Sequence, residues 1–279
     1  MRILAVLTCL FWALCAQAGE TTITLASTTS TQNSGLYDHI LPMFEAETGI
    51  HVNVIAVGTG QALRIARNGD ADVLIVHHRP SEDAFVADGY GVKRFDLMYN
   101  DFVIVGPTDD PANVRSEGSV EGAFRRIAEA KAPFVSRGDD SGTHKKERDI
   151  WENAGIDPHG DWYREIGSGM GAALNMVAVT DGYTLSDRGT WLSFGNRQNL
   201  DLLFSGVAGL RNPYSVIVVN DKNFPHVKTE AANTFVDWLL SDHGQEVIGA
   251  YRVKNQQLFC PFAKASTLTE QDLSLCPAD

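Results

Sequence analysis

The sequence predicts an α/β fold. Short apolar runs alternate with segments of helical periodicity along most of the chain, glycines stand where two of the helical segments stop, and the 44% hydrophobic content suits a packed globule. Alternation of strand and helix favours mainly parallel strands. Strands are expected near Thr22–Ala26, His51–Val57, Asp72–Val76, Phe102–Val105, Pro133–Ser136, Tyr183–Leu185, Leu200–Phe204 and Tyr214–Val219. Helices are expected at Leu36–Glu47, stopped by Gly49, at Gln61–Asn68, at Val120–Lys131, at Ser141–Ala154, stopped by Gly155, and at Glu230–Tyr251. The last carries Phe235, Trp238, Leu239, Val247 and Ile248 at near-helical spacing, a stripe that faces a core.

Two extended apolar runs, Phe102–Pro107 and Asn212–Asn220, read as crossings between two lobes. The first lobe is then discontinuous, 19–104 plus 217–279, and the second covers 105–216.

The N-terminus reads as a signal peptide, residues 1–18. Arg2 precedes an apolar run from Ile3 to Leu14, and Ala16-Gln17-Ala18 is a small-residue cleavage pattern. The run is short of the roughly 20 residues that a membrane span needs, so an exported, periplasmic chain is expected. Cleavage removes Cys9 and Cys15 and leaves Cys260 and Cys276. In an oxidising compartment these form a disulfide, worth about 3 kcal/mol for a loop of this length in the chain-entropy model.

The formal net charge is −12, and loss of Arg2 leaves 35 acidic against 22 basic residues. Such a surface argues against nucleic acid or an anionic membrane as partner. An anionic ligand remains compatible with it, because a buried site is governed by the groups that touch the ligand.

Ligands of open α/β sheets sit beyond the carboxyl ends of strands, where amides at helix N-termini point outward. Four segments have this layout: Ser27-Thr28-Thr29-Ser30-Thr31, Gly58-Thr59-Gly60, Arg137 to Thr143, and Gly167-Ser168-Gly169-Met170-Gly171. Taken singly, a Ser/Thr run is most simply a helix cap and a glycine pair a turn. Together they offer many neutral donors around one guanidinium, Arg137, which suits a desolvated anion. Adjacent His77 and His78 point opposite ways on a strand, which argues for a surface or core role rather than a metal site. Ser168 is flanked by Ile166 and Met170 where a nucleophile elbow needs glycines, and no phosphate-loop motif occurs. Ser141, His144 and Asp139 are close in sequence, which keeps an exported hydrolase as an alternative, although His144 three residues after Ser141 on one helix is poorly placed to activate it.

LASTTSTQNSGL (25–36), VGTGQAL (57–63), SRGDDSGTHKKE (136–147), GMGAALNM (169–176) and YTLSDRGTWL (183–192) together resemble the tungstate-binding proteins of bacterial ABC importers. The resemblance implies a two-lobed type II periplasmic binding protein fold with two interdomain crossings and the ligand in the cleft between the lobes. It implies capture of tungstate or molybdate, delivery to the membrane permease of an ABC transporter, no cofactor, no catalysis and a monomeric protein. The ligand-binding residues it implies are Ser27, Thr28, Thr29 and Ser30, Thr59 and Gly60, Arg137, Ser141, Gly142 and Thr143, and Gly169. Ser27 stands where the family has threonine and keeps the hydroxyl, whereas Ser168 stands where relatives often have glutamine. Asp139 is expected to brace Arg137 from behind, with Asp140 facing away or capping the next helix. The 136–147 segment is also similar to phosphate-binding proteins, which supplies the alternative ligand. Those proteins need a carboxylate to accept the phosphate proton, and the segment after the third strand ends in His77-His78 instead.

Overall fold

The computed structural model describes residues 21–264. The expected signal peptide and Cys276 lie outside the described residues. The strands are β1 (Thr21–Thr28), β2 (Ile50–Val57), β3 (Val73–Val76), β4 (Gly91–Pro107), β5 (Phe134–Ser136), β6 (Tyr163–Glu165), β7 (Thr184–Asp187), β8 (Leu200–Phe204), β9 (Arg211–Val219), β10 (Arg252–Val253), β11 (Gln256–Gln257) and β12 (Cys260–Pro261). Between them lie the helices α1 (Thr29–Asn33), α2 (Leu36–Thr48), α3 (Thr59–Arg67), α4 (Arg79–Ala87), α5 (Val120–Ala130), α6 (Gly142–Asn153), α7 (Met170–Thr180), α8 (Arg188–Ser193), α9 (Thr229–Leu240) and α10 (Asp242–Ala250).

The main sheet runs β12-β4-β9-β3-β1-β2, with β7 and β8 also paired to β4. Among the described residues, parallel pairing is confined to β2-β1-β3, to β5-β6 and to one bridge between Phe134 and Tyr183. The expectation of mainly parallel strands is therefore corrected. The two long strands, β4 and β9, are antiparallel to each other because they carry the chain out and back rather than closing strand–helix–strand units. β4 pairs with β9 from Gly91 to Asp101, then exchanges it for β7 and β8 from Phe102 to Pro107. The Asn212–Val216 part of β9 hydrogen-bonds in the first sheet. At the exchange, Arg188 Nε and Nη2 donate to Asp101 Oδ1 and Oδ2, both at 2.7 Å. On the other edge of β4, Cys260 and Pro261 of β12 lie opposite Tyr99 and Met98.

Alternate side chains of a strand face opposite sides of its sheet, and the cores follow that rule. Phe102 and Ile104 join Phe124, Phe134 and Trp151, whereas Val103 and Val105 join Leu174, Val177 and Trp191. In the first sheet Val73 and Ile75 pack with Phe44, Phe235 and Ile248, while Leu74 and Val76 pack with Ala62, Phe85 and Val219. Gly49 ends α2 in the left-handed region, at φ 69°, as the sequence predicts. The expected helix Glu230–Tyr251 is instead two. Ser241 has an extended backbone, ends α9, and its hydroxyl accepts from Gly244 N at 3.0 Å to cap α10. Gly244 has to be glycine, since a Cβ there would lie 2.1 Å from the Trp238 carbonyl oxygen.

Glu147 of α6 is 2% exposed. Its Oε1 accepts from Trp151 Nε1 at 3.2 Å and from the Tyr163 hydroxyl at 2.9 Å. Burial pushes its carboxyl up to about 7, against the opposing hydrogen bonds of Tyr163 and Trp151.

Two outcomes are expected in denaturant titrations. Ser241→Ala should lose about 1 kcal/mol, the worth of a cap, and Gly244→Ala about 1–3 kcal/mol, the cost of overpacking against backbone; no loss in either variant would contradict the two-helix break. Glu147 binds its proton more tightly folded than unfolded, so its contribution is full below the ordinary value of 4.5 and is lost as pH rises through about 7. Stability of the unmodified protein relative to Glu147→Gln should fall across that window, and a pH-independent difference would refute it.

Candidate functional site

The four donor-rich segments converge on one cavity of about 230 Å³. That is below the roughly 300–1,000 Å³ of sites for drug-sized ligands, so it suits an ion of a few atoms. Among the described residues a larger cavity of about 500 Å³ lies between Thr21, Ile50 and the start of α9, but it shares no residue with these segments.

From the first segment, Thr28, Thr29 and Ser30 line the cavity. Thr28 also caps α1, its Oγ1 accepting from Thr31 N at 3.3 Å and pairing with Thr31 Oγ1 at 2.6 Å. Ser27 does not reach the cavity. Strand alternation turns its side chain the other way, where the hydroxyl donates to the Ile75 carbonyl at 2.9 Å and pairs with the Tyr37 hydroxyl at 2.5 Å. Thr59 opens α3 after the Gly58 cap and lines the cavity fully buried, its Oγ1 without a hydrogen-bond partner. Gly60 is off the wall, turned toward Asp140, whose Oδ2 would lie 2.8 Å from a Cβ there.

From the third segment, Arg137, Asp139, Ser141, Gly142 and Thr143 all line the cavity. Arg137 Nε and Nη2 donate to Asp139 Oδ2 at 3.1 and 2.6 Å, and Nη1 reaches Thr143 Oγ1 at 3.4 Å. Asp139 Oδ1 accepts from Ser141 N at 3.2 Å. Burial would raise the Asp139 carboxyl, but hydrogen bonding from Ser141 and the charge of Arg137 outweigh it and hold it below the usual range. Asp139 thus braces Arg137 from the cavity wall rather than from behind it. One edge of the guanidinium is taken, and its Nη1 side is the part left for a ligand. Ser141 caps α6, its Oγ accepting from His144 N at 3.3 Å. Asp140 sits at φ 56°, off the cavity wall, with its carboxylate on Lys145 and its N–H donating to His144 Nδ1 at 3.2 Å. His144 Nε2 lies 3.4 Å from Glu165. The His144 ring therefore engages Asp140 and Glu165 rather than the Ser141 hydroxyl.

From the fourth segment, Gly169 lines the cavity and begins α7 without a side-chain cap. Ser168 lines an adjoining cavity of about 240 Å³ together with Thr29, Ser30, Arg137 and Thr190.

His77 is the wall residue with a titratable side chain that sequence reasoning missed. It follows β3 directly, is 8% exposed, and its Nδ1 has no hydrogen-bond partner. The ring packs against Tyr214 at a tilt of 38°, with centroids 4.7 Å apart, and lies over Gly142, where a Cβ would meet Cε1 at 2.3 Å. Its position at a strand's carboxyl end was the signal that could have found it. His78 turns away to Ser81, 2.7 Å from its Oγ. The first acid after this strand end, Glu82, is buried and taken up by His78 N at 2.6 Å and Arg94 Nε at 2.8 Å.

Known proteins agree with this architecture. The PBP superfamily domain matches residues 16–243. The tungstate-binding protein TupA of Peptoclostridium acidaminophilum is 48% identical over 82% of this chain and 81% of its own length. Among solved structures, the tungstate-binding protein TupA of Desulfovibrio alaskensis superposes with a TM-score of 0.78 at 43% identity, covering 87% of this chain and 99% of that one. The structure described as the tungstate ABC transporter of Geobacter sulfurreducens gives 0.76 at 49% identity, over 82% and 98%. With the family model and these relatives each matching about four-fifths or more of the chain, it belongs to the PBP superfamily and, within it, to the TupA-like tungstate-binding proteins.

Proposed function

We propose that this chain is a periplasmic solute-binding protein that captures tungstate, with molybdate as the nearest competitor, and passes it to the membrane permease of an ABC importer. One observation carries the reading. A cavity of about 230 Å³ is walled by hydroxyls and helix-start amides around a single guanidinium, and the one carboxylate on its wall, Asp139, already has donors on both oxygens. A proton-bearing anion such as hydrogen phosphate would find no free carboxylate for its proton, only neutral acceptors such as the His77 ring and the hydroxyls, whereas a fully deprotonated tetrahedral anion needs only donors.

The ligand set is Thr28, Thr29, Ser30, Thr59, Arg137, Ser141, Gly142, Thr143 and Gly169, with Asp139 as brace. These residues come from both sides of the partner exchange in β4, which supports a cleft between two lobes. The exchange at Asp101–Phe102 and the start of β9 pairing at Arg211 support crossings a few residues earlier than 104 and 216. Export through a cleaved N-terminal signal peptide and a Cys260–Cys276 disulfide belong to the same reading, the latter supported by the disulfide-bonded state of Cys260. The protein acts as a monomer with no cofactor.

Calorimetric titration with tungstate, molybdate, sulfate and phosphate tests the proposal. One tungstate should bind per chain, phosphate should not compete, and stability should rise by about 4 kcal/mol at a thousandfold excess over Kd. Arg137→Ala removes a charged donor worth about 1.5–3 kcal/mol per hydrogen bond and leaves Asp139 uncompensated beside the anion, so affinity should fall about a hundredfold or more. Preference for phosphate, or an Arg137→Ala variant within about threefold of the parent, would sink the assignment.

A further inference from the structure

We propose that His77 takes up a proton when the oxyanion binds, supplying the cavity with a second positive charge and a donor from Nδ1. The inference rests on the oxyanion reading above and starts from charge balance. Arg137 is already neutralised by Asp139, so a dianion enters a cavity with no net positive charge and meets otherwise neutral donors. Burying two negative charges against neutral groups is costly unless a counter-charge accompanies them.

His77 is the group on the wall that can supply one. Buried nitrogens without partners are rare and call for an explanation, and Nδ1 of His77 is such an atom, on a side chain more than nine-tenths buried that lines the cavity. The ring is held on one side by Tyr214 and lies over Gly142 on the other, so it cannot swing out to water without losing both contacts.

Its surroundings make the free ring neutral. Burial, then the charges of Arg137 and His78, lower it to about 4, against an opposing contribution from Asn212. Tyr214, which packs against the ring, is itself held protonated by burial. Asp139, on the same wall, is ionised but paired with Arg137, and the buried Asp187 at the start of α8 is bound by Thr190 N at 2.8 Å and Thr190 Oγ1 at 2.6 Å. A dianion beside Arg137 reverses the sign of the local field, which favours the imidazolium. The sign follows from linkage. The bound-state value exceeds the free one, so the gain in affinity is absent above the bound-state value, grows as pH falls through it, and is complete below about 4.

Calorimetry with micromolar tungstate in buffers of different ionisation enthalpy counts the protons. If the bound ring reaches the ordinary imidazole range, about half a proton or more should be taken up per anion at about pH 6.5, and Kd should be about threefold or more tighter at pH 6 than at pH 7.5. In the unmodified protein the ring ¹⁵N signals of His77 should move to imidazolium values on binding, and His77→Gln should lose both the uptake and the slope. Tungstate binding without proton uptake overturns the proposal and leaves the function standing. Uptake that persists in His77→Gln also overturns it, placing the proton elsewhere, for example at Glu147. Absence of tungstate binding at every pH overturns the function itself.

Discussion

A buried strand has to find a hydrogen-bond partner for every backbone N–H and C=O, and the 17 residues of β4 impose that demand on the rest of the molecule. Every residue from Leu97 to Pro107 is buried. No single neighbour serves the whole length, so β9 pairs with the first part and β7 and β8 with the second. Two hydrophobic layers form on each part because alternate residues face opposite ways. The bidentate Arg188–Asp101 pair sits where the partners change, and it supplies fixed geometry at that exchange.

This layout brings strand ends from both parts of β4 to a common cavity and determines its electrostatics. Helix starts supply amides, and threonine and serine supply hydroxyls, none of which carries a full charge. The single cation on the wall would cost several kcal/mol if buried alone, and Asp139 offsets that cost at the price of cancelling its charge. The cavity is accordingly rich in donors but close to neutral, which favours anions able to accept from every direction. Thr59 Oγ1 and His77 Nδ1, both buried and without partners, are the groups with most to gain from a ligand.

Much of this was legible before the structure. The helix stops at Gly49 and Gly155 follow from their left-handed backbones, at φ 69° and 73°. The strand ends at Thr28, Val57 and Ser136 fall within a residue or two of the runs read from alternation and β-branched content. Part of what escaped reading was decided by contacts distant in sequence, and part by local backbone detail. The first part of β4 carries Lys93, Arg94 and Asp96, which broke the apolar pattern, yet Arg94 is buried against Glu82 and Asp96. The direction of Ser27 depends on a one-residue alternation within a run of hydroxyls that all look alike. His77 looked like half of an ordinary histidine pair because nothing local reveals that Gly142, 65 positions later, leaves room for its ring. The adoption by Ser241 of a capping conformation within an otherwise helical pattern is likewise settled by Gly244 and the Trp238 carbonyl.

The short β12 has a role out of proportion to its two residues. It occupies the outer edge of β4 at Met98 and Tyr99, both nearly fully buried, and the next residue continues the cover, with Phe262 N bonded to the Leu97 carbonyl at 3.1 Å and its ring 5.4 Å from Tyr99. Without that cover, β4 would present an unpaired, apolar strand edge, the kind of surface on which chains add to one another. Gln245 Oε1 holds the cover down by accepting from Phe262 N and Ala263 N, each at 3.0 Å. The segment thus serves colloidal stability as much as folding: it guards the molecule against polymerising through the strand on which both of its halves are built.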